Sequence, residues 1–277
     1  MKYKNKIGII QDIKTFFEDD GLVDFLAGIG IESVQLVSHD VGLMTEENAD
    51  KLLEMTKGKL EITSVWCGWS GPQFWNFIDG PDTLGLVPTG YRGIRLKELK
   101  KGADFAARLG VHDMATHVGF VPEQPCYPEY RGVVAVVRDI ARYCKQRDLH
   151  FNFETGQETP VTLMRLFSDV GEDNLGINLD PANLIMYGRG NPIDALGIYG
   201  DKIRGIHVKD GDYPKEDFHR LGKERVVGEG SVNFPVFLPK LLDGGYKGDL
   251  YIEHEIKDAD RAEDVKKTVK YIKELMA

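Results

Sequence analysis

Four side chains in the second half of the sequence could together bind a divalent cation. Glu154, Asp180, His207 and Glu253 each stand in or at the end of a short apolar run, at separations of 26, 27 and 46 residues. Three carboxylates that lie close together repel one another, and a divalent cation removes that conflict. Oxygen ligands with one nitrogen suit Mn²⁺, Co²⁺ or Mg²⁺ better than a structural zinc site. If the fold brings them together, the four residues predict a metal centre with coordination positions left for two substrate oxygens.

Eight short β-type runs alternate with amphipathic segments along the chain. The runs cover residues 6–10, 33–37, 61–65, 112–116, 150–154, 175–179, 203–208 and 249–253. Helical patterns cover residues 22–29, 45–57, 96–109, 132–146, 160–170 and 262–276. Strands that alternate with helices imply parallel βαβ units. Eight of them in an undivided chain predict a single (β/α)8 TIM barrel over residues 1–277. An open doubly wound sheet is the alternative, but no GxGxxG follows the first run.

Such a barrel would bring the four candidate ligands together. The runs that carry them are consecutive, and the active residues of TIM barrels lie at the carboxyl ends of the strands. Two long connections, residues 66–92 and 209–231, follow strands and therefore lie on the same side. The first contains all three tryptophans, Trp66, Trp69 and Trp75. They could form a small core or subunit contact, or a wall that faces a sugar, and both interpretations remain open.

Composition excludes several classes of protein. The 277 residues include 35 basic and 44 acidic side chains, a formal charge of −9, so general affinity for nucleic acid or anionic membranes is not expected. With 42% hydrophobic residues the chain can bury a full core, which excludes disorder. Three cysteines, at no metal-ligand spacing, are expected to be reduced thiols. No apolar run approaches the length of a membrane span. We expect a cytoplasmic protein without nucleic-acid or membrane partners.

Five motifs resemble one known family. They are NFET at 152–155, NLDPANL at 178–184, IHVKD at 206–210, GEG at 228–230 and LYIEHE at 250–255. They are similar to the sugar phosphate isomerase/epimerase family of the xylose isomerase-like TIM-barrel superfamily, which includes ketose 3-epimerases, inosose dehydratase and endonuclease IV. The resemblance covers essentially the whole chain. It implies one divalent metal ion on Glu154, Asp180, His207 and Glu253, with Mn²⁺ expected and Co²⁺, Mg²⁺ or Zn²⁺ as alternatives. It also implies a homodimer or homotetramer.

The same resemblance implies a reaction. A ketose or keto-sugar would be isomerised or epimerised by proton transfer through a metal-bound enediolate, with Glu154 and Glu253 as the acid–base pair. Further substrate contacts are expected from His117, Asn183, Trp66, Gln11 and Lys209. The basic residues after the seventh run are interleaved with acidic ones, so we expect an unphosphorylated sugar, although a phosphorylated one stays open.

Three other functions remain open at this stage. Family epimerases commonly carry a histidine where this chain has Asn183, so a metal-dependent dehydratase or lyase acting on a 3-keto-sugar or keto-glycoside is the main alternative. An endonuclease IV-like nuclease needs further histidines, and here Trp66 and Cys67 stand after the third run and Phe218-His219 replaces an Asp-x-His pair. A non-catalytic sugar-binding subunit would need no acid–base pair.

Overall fold

Eight parallel strands close into a barrel, which confirms the predicted (β/α)8 fold. The computed structural model describes residues 2–257 and 259–277. The strands are β1 Ile7–Asp12, β2 Ser33–Ser38, β3 Glu61–Cys67, β4 Asp113–Thr116, β5 His150–Glu154, β6 Leu175–Leu179, β7 Ile203–Val208, β8 Asp210–Asp212, β9 Lys223–Arg225 and β10 Leu250–Ile252. The barrel order is β1-β10-β7-β6-β5-β4-β3-β2, while β8 and β9 form a separate antiparallel hairpin. The last four barrel strands in sequence are therefore neighbours in space.

Helices between the strands cover the outside of the barrel. They are α1 Ile13–Glu18, α2 Leu22–Gly28, α3 Glu46–Thr56, α4 Gly80–Thr83, α5 Thr89–Leu109, α6 Pro128–Lys145, α7 Pro160–Val170, α8 Pro181–Met186, α9 Pro192–Tyr199, α10 Phe234–Asp243 and α11 Arg261–Leu275. The six predicted helices are present, although α5 begins at Thr89 rather than at residue 96 and α6 begins at Pro128 rather than at residue 132. Its first turns carry Tyr91, Arg92 and Gly93, which show no apolar stripe. No helix within the described ranges is long and apolar enough to cross a membrane.

The inside of the barrel contains a polar layer. Gln35 on β2 is fully buried, and its Nε2 donates to Ser64 Oγ at 3.0 Å and to Asn178 Oδ1 at 3.2 Å. Gly205 on β7 leaves room for this layer, since a Cβ there would lie 2.2 Å from Asn178 Oδ1. Buried polar groups linked in this way fix each other's rotamers. The strand ends above the layer are therefore rigidly held.

The connection after β7 is organised by one buried carboxylate. Asp210 Oδ1 accepts from the backbone N–H groups of Gly211 at 2.8 Å and Val232 at 3.0 Å. Its Oδ2 accepts from those of Gly228 at 3.0 Å and Gly230 at 3.1 Å. A Cβ at Gly230 would lie 2.3 Å from Asp210 Oδ1, so only glycine fits there. The GEG motif therefore folds the loop around Asp210.

Candidate metal centre

The four predicted ligands converge at the carboxyl end of the barrel. Glu154 ends β5, Asp180 follows β6, His207 lies in β7, and Glu253 follows β10. One ligand atom from each lies within 4.8 Å of the other three, and no other group of three or more such side chains was found in the described ranges. His207 Nδ1 lies 2.9 Å from Glu253 Oε2 and 3.3 Å from Glu154 Oε1. The two glutamates therefore stand at opposite ends of a four-strand arc.

The donor atoms of this cluster fit a cation. Asp180 Oδ2, His207 Nδ1 and Glu253 Oε2 are buried and form no hydrogen bond within the described residues, because the short contact between the last two lacks hydrogen-bonding geometry. Buried polar atoms in proteins are rarely left in this state. Ligands about 2.1 Å from an ion such as Mg²⁺ lie at most about 4.2 Å apart, so the cluster needs only a small contraction to enclose one. The residues present therefore suit a single divalent ion.

The electrostatics of the cluster require positive charge. Burial would raise the pKa of Glu154, but the imidazoles of His117 and His207 hold it well below its usual range. Burial would likewise lower the pKa of His207, but the carboxylates of Glu154 and Glu253 raise it well above its usual value. The Glu154 carboxylate thus remains ionised and attracts nearby cations. A divalent ion meets the same requirement without a proton on the imidazole.

The imidazole of His207 is oriented by the polar layer below it. Nε2 lies 2.7 Å from Gln35 Oε1 and 2.7 Å from Asn178 Nδ2. When Nε2–H donates to the Gln35 carbonyl oxygen, Nδ1 is the nitrogen that faces the carboxylates and can carry the metal bond. Such outer contacts fix the tautomer and the ring plane of a histidine ligand.

We expect Gln35→Leu to weaken Mn²⁺ binding by about 10- to 100-fold, because the substitution removes the acceptor that orients His207. Isothermal titration calorimetry with MnCl₂ would measure the loss. Gln124→Leu, at an exposed position after β4, is the matched control. Equal Mn²⁺ affinity in both variants and the wild type would show that Gln35 does not support the site.

Three of the predicted substrate-contact residues surround Glu154. Trp66 Nε1 donates to Glu154 Oε2. His117 Nε2 lies 3.2 Å from Glu154 Oε1, and Asn183 Nδ2 donates to the same oxygen at 3.3 Å. Each of them therefore holds this carboxylate in place. Their predicted contacts with a substrate stay predictions.

Of the other two predicted residues, Lys209 lies beside Glu253. Lys209 is buried, with Nζ 3.3 Å from Glu253 Oε1, 3.7 Å from Asp180 Oδ2 and 2.6 Å from Glu255 Oε2. Burial would lower the pKa of Lys209, but the carboxylates around it, chiefly Glu253 and Glu255, raise it well above its usual value. Gln11 is buried near the end of β1, the neighbour of β10, and its Oε1 has no partner among the described atoms. Lys209 therefore borders the ligand cluster, whereas the predicted substrate contact of Gln11 stays a prediction.

The tryptophan-rich connection forms a small core and also lies beside Glu154, while its contact with a sugar stays a prediction. Trp69 is buried in a small apolar cluster with Val37, Leu84 and Ala115, which attaches the loop to the barrel. Trp66 belongs to the same cluster but turns its N–H toward Glu154. Trp75 is half-exposed, and its ring centroid lies 4.9 Å from that of His117. The loop thus contributes side chains to a small apolar core and also lies beside Glu154 and His117.

Several residues around the site were not anticipated from the sequence. Gln35 and Asn178 could have been found, because each is a polar residue inside a buried apolar strand. Gln157, Glu158 and Tyr187 are buried beside the site in connections where no periodic pattern marks them.

The fold agrees with comparisons to known proteins. The family model described as xylose isomerase-like TIM barrel matches residues 23–275. The structure of a xylose isomerase domain protein from Planctomyces limnophilus is 30% identical, with a TM-score of 0.87, over 99% of this chain and 98% of that one. The structure of a 3-keto-D-glucoside 4-epimerase from E. coli shares the fold at 16% identity, with a TM-score of 0.72 over 98% of this chain and 100% of that one.

Curated relatives match only part of the chain. An inosose dehydratase from Clostridium beijerinckii is 31% identical over 140 residues, which are 45% of this chain and 46% of that protein. The matched segments of the first curated relatives span between 36% and 46% of those proteins. The family model, by contrast, covers nearly the whole sequence. The chain therefore belongs to the xylose isomerase-like TIM-barrel family.

Proposed function

We propose that this protein is a divalent-metal-dependent isomerase or epimerase that moves a proton on the carbon next to the carbonyl group of a keto-sugar. The observation that carries the proposal is the position of Glu154 and Glu253. Their carboxylates approach one ligand cluster from opposite ends of a four-strand arc. A substrate held over the cluster would have one carboxylate on each side. Epimerases among the structural relatives support this assignment.

Each side chain has a distinct task in this proposal. Glu154, Asp180, His207 and Glu253 would hold the cation, which when bound supplies Lewis-acid stabilisation of negative charge on a substrate oxygen. One glutamate removes the proton. The other returns a proton on the opposite face in epimerisation, or at the neighbouring carbon in isomerisation. We propose Mn²⁺ as the ion, because three carboxylates and one imidazole suit it, with Co²⁺, Mg²⁺ and Zn²⁺ as alternatives.

A second candidate, a dehydratase or lyase acting on a keto-sugar, is favoured by the asymmetry between the two glutamates. Trp66, Asn183 and His117 all surround the Glu154 carboxylate, and hydrogen bonds to the charged form make a carboxylate a weaker base. Glu253 keeps an unpartnered oxygen and lies beside Lys209. One base and a nearby ammonium are sufficient to expel a leaving group at the β carbon. The inosose dehydratases among the relatives also support a dehydratase.

Deuterium uptake separates the two candidates. Mn²⁺-loaded protein would be incubated in D₂O with a panel of ketopentoses, ketohexoses, inososes and 3-keto-glucosides. An isomerase or epimerase yields a deuterated sugar of changed configuration or carbonyl position. A dehydratase or lyase yields an unsaturated product that absorbs in the ultraviolet, with release of water or an alcohol. If metal binds but no panel member exchanges a proton or loses a group, proton abstraction from keto-sugars is the wrong chemistry.

A further inference from the structure

A second buried polar cluster adjoins the metal centre and takes no part in holding it. Gln157 and Glu158, in the connection from β5 to α7, are each 2% exposed, and Tyr187, which follows α8, is 5% exposed. Both polar atoms of the Gln157 amide, both Glu158 carboxyl oxygens and the Tyr187 hydroxyl have no hydrogen-bond partner within the described residues. The Gln157 amide and the Tyr187 hydroxyl lie close to each other but without hydrogen-bonding geometry.

Contacts between the two clusters show that they are adjacent. At Gly156, a Cβ would lie 3.4 Å from Asn183 Cβ and 3.5 Å from the Tyr187 ring, so the loop packs directly on this segment. Asn183 in turn donates to Glu154. His117 lies 3.2 Å from Glu154 and also interacts electrostatically with Glu158. The second cluster is therefore adjacent to the ligand cluster.

We infer that Gln157, Glu158 and Tyr187 form a subsite for hydroxyl groups of an uncharged keto-sugar whose carbonyl end lies at the metal centre; the inference rests on the proposed function. A buried polar atom without a hydrogen-bond partner destabilises the folded protein. Five such atoms in one place are a cost that a ligand with several hydroxyl groups would offset. A sugar bound only through two oxygens at the metal would leave them unpaired.

The chemistry of the cluster favours a neutral ligand. Burial raises the pKa of Glu158 to about 8, although His117, Arg189 and the nearby backbone N–H groups of Glu158 and Gln157 act to lower it. Near pH 7 this carboxyl group is therefore mostly protonated, so it can both donate and accept, as the Gln157 amide does. A hydroxyl group needs both kinds of partner, whereas a phosphate needs donors and positive charge.

Apolar rings border the same subsite. The ring centroids of Phe77 and Phe120 lie 5.8 Å and 6.0 Å from that of Tyr187. Arg189, the nearby cation, has its guanidinium 6.0 Å from the Phe120 ring centroid and an Nη1 atom 3.8 Å from Glu123. Aromatic faces suit the C–H surface of a sugar, while polar groups fix its orientation.

Glu158→Met tests the subsite. Calorimetry would measure the affinity of Mn²⁺-loaded protein for neutral ketopentoses, ketohexoses and inososes and for their phosphate esters. We expect at least one neutral sugar to bind the wild type, and Glu158→Met to weaken that binding about tenfold or more. Mn²⁺ affinity should stay within about threefold, and Glu158→Gln should recover most of the lost sugar affinity because an amide also donates and accepts. Glu216→Met, at an exposed position, is the matched control.

Thermal unfolding of the same variants separates a subsite from a structural role. Because no side chain among the described residues hydrogen-bonds to Glu158, Glu158→Met should unfold at the same or a higher temperature than the wild type. A lower unfolding temperature, unchanged sugar affinity in Glu158→Met, preference for phosphate esters, or no neutral sugar bound by Mn²⁺-loaded wild type would each overturn the subsite. Failure to bind any of Mn²⁺, Co²⁺, Mg²⁺ and Zn²⁺ would instead refute the proposed function.

Discussion

Replacing Glu253 by glutamine is expected to lower kcat by about 10²- to 10⁴-fold, because it removes a carboxylate that can take up a proton. Glu253 Oε2 is buried and lies 2.9 Å from His207 Nδ1 without hydrogen-bonding geometry, so it forms no hydrogen bond among the described atoms. The amide has the same shape, so the fold should persist. The same carboxylate is a proposed ligand, and kcat is therefore to be measured at saturating Mn²⁺.

The kcat of Glu154→Gln, compared with that of Glu253→Gln, distinguishes the two candidate reactions. A two-base epimerase should lose a similar factor in both variants, whereas a one-base dehydratase should lose much less in Glu154→Gln. Glu229→Gln, at the exposed centre of the GEG turn, is the control for the substitution itself. Undiminished turnover in Glu253→Gln would exclude this residue from proton transfer.

The second large effect is expected from Arg95→Met, which should lower the free energy of unfolding by about 3–6 kcal/mol. Arg95 is fully buried, and burial lowers its pKa to about 10, so it is still charged at neutral pH. Its guanidinium donates to the carbonyl oxygens of Thr83 at 2.7 Å, Gly85 at 2.8 Å, Pro72 at 3.1 Å and Ser70 at 3.2 Å. Methionine would leave these acceptors in the loop without that donor.

Urea denaturation followed by circular dichroism measures this loss. Arg131→Met, on the exposed face of α6, should change the free energy of unfolding by no more than about 0.5 kcal/mol. The Arg95 variant should also show altered tryptophan fluorescence before global unfolding, since Trp69 stacks on this guanidinium at 5.4 Å. An Arg95 variant as stable as the control would mean that the loop is held by its apolar contacts alone.

The barrel and its ligand set followed from patterns that depend on local sequence. Strand and helix periods are properties of neighbouring residues, and consecutive βα units can close in few ways. Once the order of the strands is fixed, residues at the ends of neighbouring strands must meet. For this reason Glu154, Asp180, His207 and Glu253 could be grouped before their distances were known.

Other features depend on contacts between distant parts of the chain. Arginine in a helix is usually exposed to solvent, so the sequence gives no sign that Arg95 is buried. Only the folded loop shows that its side chain lies among carbonyl groups. Helix α8 contains six residues, too few for a periodic pattern, and begins at a cap formed by Asp180 Oδ1 and the Asn183 N–H. Glu158 follows a strand by four residues and shows no signal of burial. Irregular connections take their conformation from the surfaces on which they pack, which a local pattern does not contain.

Mn²⁺ titration of chelator-treated protein, compared with Asp180→Asn, tests the central claim most directly. Asparagine can still cap α8, so the variant removes a charged ligand with little change to the fold. Asp194→Asn, at an exposed position in α9, is the matched control. The account predicts one Mn²⁺ per chain in the wild type and the control, and binding weakened by at least about tenfold in Asp180→Asn. No binding to the wild type, or equal binding to all three proteins, would show that these four residues are not a metal centre.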